Sequence, residues 1–252
     1  MCSISVVIIT KNESKHIVDC INSAKLISDD IIVVDSGSTD NTIELATKEG
    51  AQVIQINWKG YGNARNIGTK NTKNNWILAL DADERITRDV VTAIKKLSLN
   101  NTSVIYGFKI ISFFINQKVR FGEWGRDKVW RLYNKTAVDW NLNEVHEGLV
   151  GENTKRIMVK NGAFLHYTVD NIDEYNGKIF KYAKLSADKY YQKGKKYFFL
   201  QQLFSPIFSF IQNYFFRLGF MDGIVGWKIA MGSCKYNWLK YKYLAELTLA
   251  KP

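Results

Sequence analysis

The sequence has little proline and little cysteine. Two prolines in 252 residues, together with a hydrophobic share of 46%, predict a chain that is folded nearly throughout as one large or two small domains. The three cysteines, at positions 2, 20 and 234, are odd in number and widely scattered, so they fit neither a zinc spacing nor a disulfide framework. This usage favours a reducing cytoplasm. Residues 1–14 lack the pattern of a signal peptide, and we expect none.

Acidic residues are scarce toward the end of the chain. Residues 178–252 contain 13 basic and 3 acidic residues, whereas residues 1–177 contain 22 basic and 21 acidic ones. The last segment therefore holds nearly all of the formal net charge of +11. The asymmetry predicts two domains, at 1–175 and 176–252, with a different partner for the second.

Apolar runs alternate with helical patterns over the first hundred residues. Runs at 4–9, 31–34 and 76–80 are typical of buried parallel strands, and residues 52–56 add a shorter strand. The alternation predicts an α/β fold with an open, mostly parallel sheet. Ligands bind at the carboxyl ends of the strands in such sheets, where Thr10, Asp35 and Asp81 stand.

Three acids follow the run at 76–80 within four positions. Asp81, Asp83 and Glu84 repel one another unless a cation lies among them. One interpretation is a solvated turn, with Glu84 favoured by the start of a helix that Thr87 caps. In the other, Asp81 and Asp83 point the same way from an extended segment and bind a metal ion.

Four motifs in order resemble one known family. They are "VVIITKNES", "IIVVDSGSTDNT", "GNARNIG" and "ALDADER". Over residues 3–170 the chain resembles the family 2 glycosyltransferases, whose fold is called GT-A. With "VHEG" and a basic, apolar tail, it is most similar to the lipopolysaccharide core glucosyltransferase group. The resemblance implies a Rossmann-like, mostly parallel sheet flanked by helices, followed by a helical, basic and aromatic C-terminal region.

The resemblance also implies a donor site. Asp83 would bind a divalent cation, Mn²⁺ or Mg²⁺, that bridges the diphosphate of a nucleotide sugar. Asp81 would lie beside the ribose and donor sugar, Asp35 would bind uracil, and Glu13 would reach the ribose hydroxyls. Arg65 would contact the base and phosphates; its alternative is a helix-surface arginine. The implied donor-binding set is Thr10, Asn12, Glu13, Asp35, Arg65 and Asp81.

The later residues would supply the catalytic base and a second metal ligand. Displacement at the anomeric carbon needs a carboxylate that takes a proton from the acceptor. The resemblance favours Glu147 over Glu144, although the chain has "HE" where the family has a Glu-Asp pair. His146 could orient Glu147, contact the donor or be structural. His166 would close the metal site; its alternative is a core histidine.

The segment "FGEWGRDKVWRLYN" resembles the family's acceptor-side loop. Trp124 would stack on a sugar or simply pack, and Gly125 would give backbone room. Asp127 and Arg131 would bind donor or acceptor groups.

The tail is basic and then apolar. Residues 178–196 contain seven lysines and one acid, and residues 198–216 contain no charge. Buried amides such as Gln201 and Gln212 argue against a transmembrane helix. An interfacial helix drawn to anionic lipid fits better, with a core helix pair or a subunit interface as rivals. No nucleic-acid-binding motif is present.

These observations predict a metal-dependent inverting glycosyltransferase. It would transfer glucose from a uridine diphosphate donor to a membrane-borne glycolipid such as lipopolysaccharide core, from the inner face of the cell membrane. The alternatives are a transferase onto polyprenyl phosphate and a non-catalytic basic membrane-binding module.

Overall fold

The computed structural model describes residues 3–142 and 147–249. The strands are β1 Ile4–Thr10, β2 Ile31–Asp35, β3 Gln52–Gln55, β4 Trp76–Asp81, β5 Glu84–Ile86, β6 Val104–Phe114, β7 Gln117–Lys118, β8 Lys128–Asn134, β9 Asp139–Trp140, β10 Leu149–Val150 and β11 Lys155–Val169. The helices are α1 Ile17–Ala24, α2 Thr42–Lys48, α3 Tyr61–Lys70, α4 Arg88–Lys95, α5 Ile172–Gln192, α6 Phe199–Ile211 and α7 Gly223–Leu249. The α/β class predicted from the sequence is confirmed, including the helical C-terminal region.

One sheet dominates the described residues. Its strand order is β3-β2-β1-β4-β8-β6-β11-β5, and β7 pairs with β6. The four strands predicted from apolar runs form its parallel part, β3-β2-β1-β4. Strand β8 joins β4 antiparallel, and β6 and β5 add further antiparallel pairs. The sheet is therefore parallel where the sequence alternates strand and helix, and antiparallel beyond.

The central strands are buried on both faces, which explains their unbroken apolar runs. Along β1, Val6 and Ile8 join a core with α1 and α4, while Val7 and Ile9 join a second core with α3. Gly68 brings α3 onto this second face, because a Cβ at that position would lie 2.4 Å from Val7. Thr87 caps α4 as predicted, since its side chain accepts a hydrogen bond from the Val90 amide.

The chain divides into two compact units. Residues 1–110 and 128–166 form the first unit, and residues 111–127 and 167–252 form the second. The sequence boundary near residue 175 follows charge, whereas this division also assigns residues 111–127 to the second unit. A cluster that includes Phe114, Tyr175 and Ile229 forms the core of that unit.

Helix α6 of the second unit turns its apolar side outward. Leu200, Phe204 and Phe208 are about 60% exposed, at 64%, 58% and 62%. The opposite side, which includes Ser205 and the buried Pro206, faces the protein. This arrangement is the reverse of an ordinary surface helix, which buries its apolar side. No helix among the described residues is long and apolar enough to cross a membrane.

Candidate active site

The strand ends meet in register at one edge of the sheet. Thr10 is paired with Asp35 across β1 and β2, and Ile9 is paired with Asp81 across β1 and β4. Thr10, Asp35 and Asp81 therefore end three adjacent strands side by side. This is the edge where a parallel sheet binds its ligands.

Two arginines hold the carboxylate of Asp81. Arg65 Nη2 of α3 lies 2.6 Å from Asp81 Oδ1, and Arg131 Nη2 of β8 lies 2.7 Å from Asp81 Oδ2. Burial alone would raise the pKa of Asp81, but Arg65 and Arg131 lower it well below its usual range. The carboxylate is therefore charged at neutral pH, and it is still 32% exposed toward solvent.

Glu84 corrects one sequence interpretation. The solvated-turn reading placed it at a helix start, but Glu84 lies in β5 and is only 1% exposed. Its Oε1 accepts a 2.5 Å bond from Arg131 Nη2, and its Oε2 accepts one from the Asp81 amide at 3.0 Å. Burial and the neighbouring Asp81 raise the pKa of Glu84, while Arg131 opposes them. Glu84 therefore holds Arg131 in place under Asp81.

Asp83 and His166 form a separate pair beside this cluster. Antiparallel pairing of β5 with β11 sets His166 opposite Glu84, and His166 Nε2 lies 3.2 Å from Asp83 Oδ2. Burial would lower the pKa of His166, but the hydrogen bond and charge of Asp83 raise it to about 9. The site thus attracts positive charge.

The donor atoms of this pair fit a divalent cation. A carboxylate oxygen and an imidazole nitrogen are suitable ligands for Mn²⁺, and the carboxylate suits Mg²⁺. Among the described residues, no third histidine, cysteine or acidic residue joins this pair to form a metal-binding group. Oxygen atoms of a substrate and water would therefore complete the coordination.

Arg65 connects Asp81 to the predicted base. It is 1% exposed, so the helix-surface interpretation is wrong. Its guanidinium lies 4.7 Å from the centre of the Trp140 ring, and its Nη2 lies 4.0 Å from Glu147 Oε1. Its Nε and Nη1 have no hydrogen-bond partner among the described residues. Glu144 and His146 lie outside the described residues.

The loop after β2 is organised by Asp35 and Asn12. Asp35 Oδ1 accepts from the amides of Gly37 and Ser38, both at 2.9 Å, and its Oδ2 accepts from the Ser38 hydroxyl. Asn12 has a left-handed backbone, with φ of 55°, and its Oδ1 accepts from the Thr39 amide at 2.8 Å. The Glu13 amide donates to Thr42 Oγ1 at 2.8 Å. These bonds fix the loop at the carboxyl ends of β1 and β2.

The predicted acceptor-side residues divide between the units. Arg131 belongs to the first unit, where it binds Asp81 and Glu84. Trp124, Gly125 and Asp127 belong to the second unit. The ring of Trp124 packs on Phe114 and Tyr175, with ring centres 6.0 and 5.9 Å apart. A Cβ at Gly125 would lie 2.3 Å from the Arg120 backbone, so close chain packing requires glycine there.

Trp140 and Tyr133 are site residues that sequence reasoning missed. Trp140 supports Arg65, and its indole donates to the Tyr133 hydroxyl at 3.0 Å. Burial raises the pKa of Tyr133 to about 12, and Thr69 bonds the same hydroxyl. No local motif marks these aromatics; the signal was an aromatic residue on each side of "NKTAVD" in two short strands.

Comparison with known proteins identifies the family. Residues 5–151 match the model described as "Glycosyl transferase family 2". The chain belongs to this family. Membership confirms the resemblance seen in the motifs and makes the protein a glycosyltransferase.

Two named relatives agree with this assignment, and one solved structure is similar over part of its length. An uncharacterized glycosyltransferase of Rickettsia prowazekii is 31% identical over 99% of this chain and 89% of its own length. The lipopolysaccharide core biosynthesis glycosyltransferase LpsC of Rhizobium meliloti is 28% identical over 94% of this chain and 89% of its own. A solved structure, glucosyl-3-phosphoglycerate synthase of Mycobacterium tuberculosis in complex with Mn²⁺ and UDP, is 26% identical over 44% of each chain, with a TM-score of 0.35.

Proposed function

We propose that the protein is a metal-dependent, inverting glycosyltransferase that moves glucose from a UDP donor to a membrane-borne glycolipid such as lipopolysaccharide core. The observation that carries this proposal is the line of side chains from His166 and Asp83 to Asp81, Arg65 and Glu147. Asp83 and His166 attract a cation, Arg65 has two N–H groups without a partner among the described residues, and Glu147 supplies a carboxylate; all lie in the first unit.

The donor would lie across the ends of β1, β2 and β4. Asp83 and His166 would hold Mn²⁺ or Mg²⁺, which as a Lewis acid stabilises the diphosphate leaving group. The Nε and Nη1 of Arg65 would bind phosphate or ribose oxygens, because these buried N–H groups have no hydrogen-bond partner among the described residues. Asp35 is buried and uses three acceptor positions on its own loop, so one position would remain for an N–H of uracil. Thr10, Asn12 and Glu13 would shape the ribose side.

Glu147 would act as the base. Its carboxylate takes the proton from an acceptor hydroxyl as that oxygen bonds to the anomeric carbon. The bond from that carbon to the diphosphate breaks, and its electron pair leaves with UDP. Attack opposite the leaving group inverts the configuration.

The acceptor would be presented by a membrane surface. The LpsC relative is named for lipopolysaccharide core biosynthesis. In the second unit, the outward apolar side of α6 follows the lysines of residues 178–196. An apolar helix side with cations beside it suits an anionic bilayer interface, here the inner face of the cell membrane.

A screen of nucleotide sugars tests the proposal. The full chain would be incubated with UDP, GDP and dTDP sugars, with Mn²⁺ or EDTA, and nucleotide release measured. We expect release from UDP-glucose that requires the metal and increases with core glycolipid. Nucleotide release that is as fast in EDTA as in Mn²⁺ would contradict the metal assignment. Sugar transfer to polyprenyl phosphate by a variant without Glu147 would show that polyprenyl phosphate, and not the glycolipid, is the acceptor.

A further inference from the structure

Lys240 of α7 is a buried cation inside a ring of tyrosines. It is 8% exposed, and its ammonium lies 5.3, 5.4 and 4.7 Å from the ring centres of Tyr190, Tyr236 and Tyr241. It donates to Asn237 Oδ1 at 2.8 Å. The tyrosine faces attract the ammonium, but they carry no net charge that could neutralise it.

A second cation lies against the same cage. The Lys195 ammonium is 4.0 Å from the ring centre of Tyr190, so one ring carries two cations. Among the described residues, no carboxylate forms an ion pair with Lys195 or Lys240. Burial lowers the pKa of Lys240, and Lys195 lowers it further. Buried lysines are normally paired with an acid, and among the described residues Lys240 has no such ion pair.

A hydrogen bond links the cage to the protein-facing side of α6. Asn237 Oδ1, which binds Lys240, also accepts a 3.5 Å bond from Ser205 of α6. Phe204 precedes Ser205 and is 58% exposed. Lys195 comes three residues before Phe198, where the exposed apolar stretch begins. Lys195 therefore stands where the exposed apolar stretch begins, and Lys240 lies behind it, toward the protein-facing side of α6.

We propose that Lys195 and Lys240 bind the phosphate of an anionic membrane lipid whose acyl chains lie along α6. This inference rests on the proposed membrane docking and names the group that the surface recognises. A phosphate supplies the missing negative charge and accepts hydrogen bonds from both ammonium groups. The apolar residues of α6 explain why the anion is a lipid rather than free phosphate.

A defined lipid site and diffuse electrostatic attraction predict that different lysine substitutions weaken binding. Surface attraction to an anionic bilayer draws on every exposed lysine to a similar extent. A site depends on Lys195 and Lys240 and tolerates the loss of a neighbour. Lys196 is a matched control, because it is exposed, next to Lys195 in sequence, and contacts none of the caged tyrosines at cation–π distance in the described structure.

The experiment uses short-chain phosphatidic acid below its micelle concentration, which removes the surface potential of a bilayer. Its binding to the full chain would be followed by tryptophan fluorescence, to which Trp227 and Trp238, both half-exposed on α7, contribute among the seven tryptophans of the chain. We expect Lys240→Gln and Lys195→Gln each to weaken binding by about tenfold or more, as loss of a charged hydrogen bond does. Lys196→Gln should change it by about twofold or less. Inorganic phosphate should bind more weakly than the lipid.

Several outcomes would overturn the inference. Equal losses of lipid affinity in the Lys195, Lys196 and Lys240 variants would show diffuse attraction. Equal affinity for inorganic phosphate and for the lipid would show that the acyl chains do not contribute to binding. Lys195→Gln guards against misfolding of the Lys240 variant, because Lys195 is exposed. If Phe204→Ser and Phe208→Ser abolish vesicle binding while both lysine variants bind the short-chain lipid normally, membrane docking stands and the lipid site falls.

Discussion

The two units differ in whether their buried charges are paired and in whether their apolar side chains face inward. In the first unit, the arginines Arg65 and Arg131 are buried against Asp81 and Glu84. In the second, Lys240 is buried among aromatic rings and has no ion pair with an acid among the described residues, and Phe204 and Phe208 face outward.

The buried charges of the first unit neutralise one another, whereas the second unit exposes an apolar helix side and buries a cation. A paired cluster keeps its geometry without a ligand, which suits the placement of reacting groups. An exposed apolar side and a buried cation without a paired acid among the described residues both cost free energy, which is consistent with the proposed docking of the second unit. Each of the substitutions below should impair one unit and leave the other unaffected.

The largest effect is expected from Asp83→Asn. Loss of the carboxylate removes the contact with His166 Nε2 and the proposed cation ligand, so glucosyl transfer should be abolished. Turnover with UDP-glucose and core glycolipid measures it, and vesicle binding should be unchanged. Full turnover of the variant would remove Asp83 from the metal site.

Glu147→Gln should lower turnover by about 10²-fold or more with little change in donor affinity, because only proton removal is lost. The matched control is Glu144→Gln. If that variant shows the loss and Glu147→Gln does not, the neighbouring carboxylate is the base.

Arg131→Met tests the neutralised cluster through stability. It leaves Glu84 buried without its cation, and the free energy of unfolding should fall by about 3 kcal/mol. Adding Glu84→Gln removes the stranded charge and should recover most of that loss in denaturant unfolding. A double variant no more stable than Arg131→Met would show that Arg131 stabilises the protein in another way.

A smaller effect is expected from Phe199→Ser, Phe204→Ser and Phe208→Ser together. These side chains are exposed, so unfolding should change little, while binding to anionic vesicles should weaken several-fold. Charge reversal at Lys193, Lys195 and Lys196 should weaken it as well, and added salt should reduce the wild-type binding. A loss of stability comparable to that of Arg131→Met would mean that the stretch is packed in a subunit interface.

The parallel part of the fold could be predicted because its signals are local. Unbroken apolar runs marked β1, β2 and β4, and strand ends in register then brought Thr10, Asp35 and Asp81 together. The "DAD" spacing indicated a charged site, and the family motifs indicated its chemistry.

The remainder depends on contacts that no local pattern records. Glu84 meets Arg131 across 47 positions, so spacing alone made it a helix-start acid. Trp140 supports Arg65 only because β9 lies against α3. The apolar pattern of α6 was visible, but which side faced the protein depended on α7.

Donor binding measured with and without a metal ion tests whether Asp83 and His166 hold a cation for a UDP-sugar. UDP-glucose would be titrated calorimetrically into the full chain with Mn²⁺ and with EDTA, alongside Asp83→Asn and Glu147→Gln. We expect binding that requires Mn²⁺, is lost in the Asp83 variant and persists in the Glu147 variant. Equal UDP-glucose affinity in EDTA and Mn²⁺ would contradict the proposed cation site at Asp83 and His166.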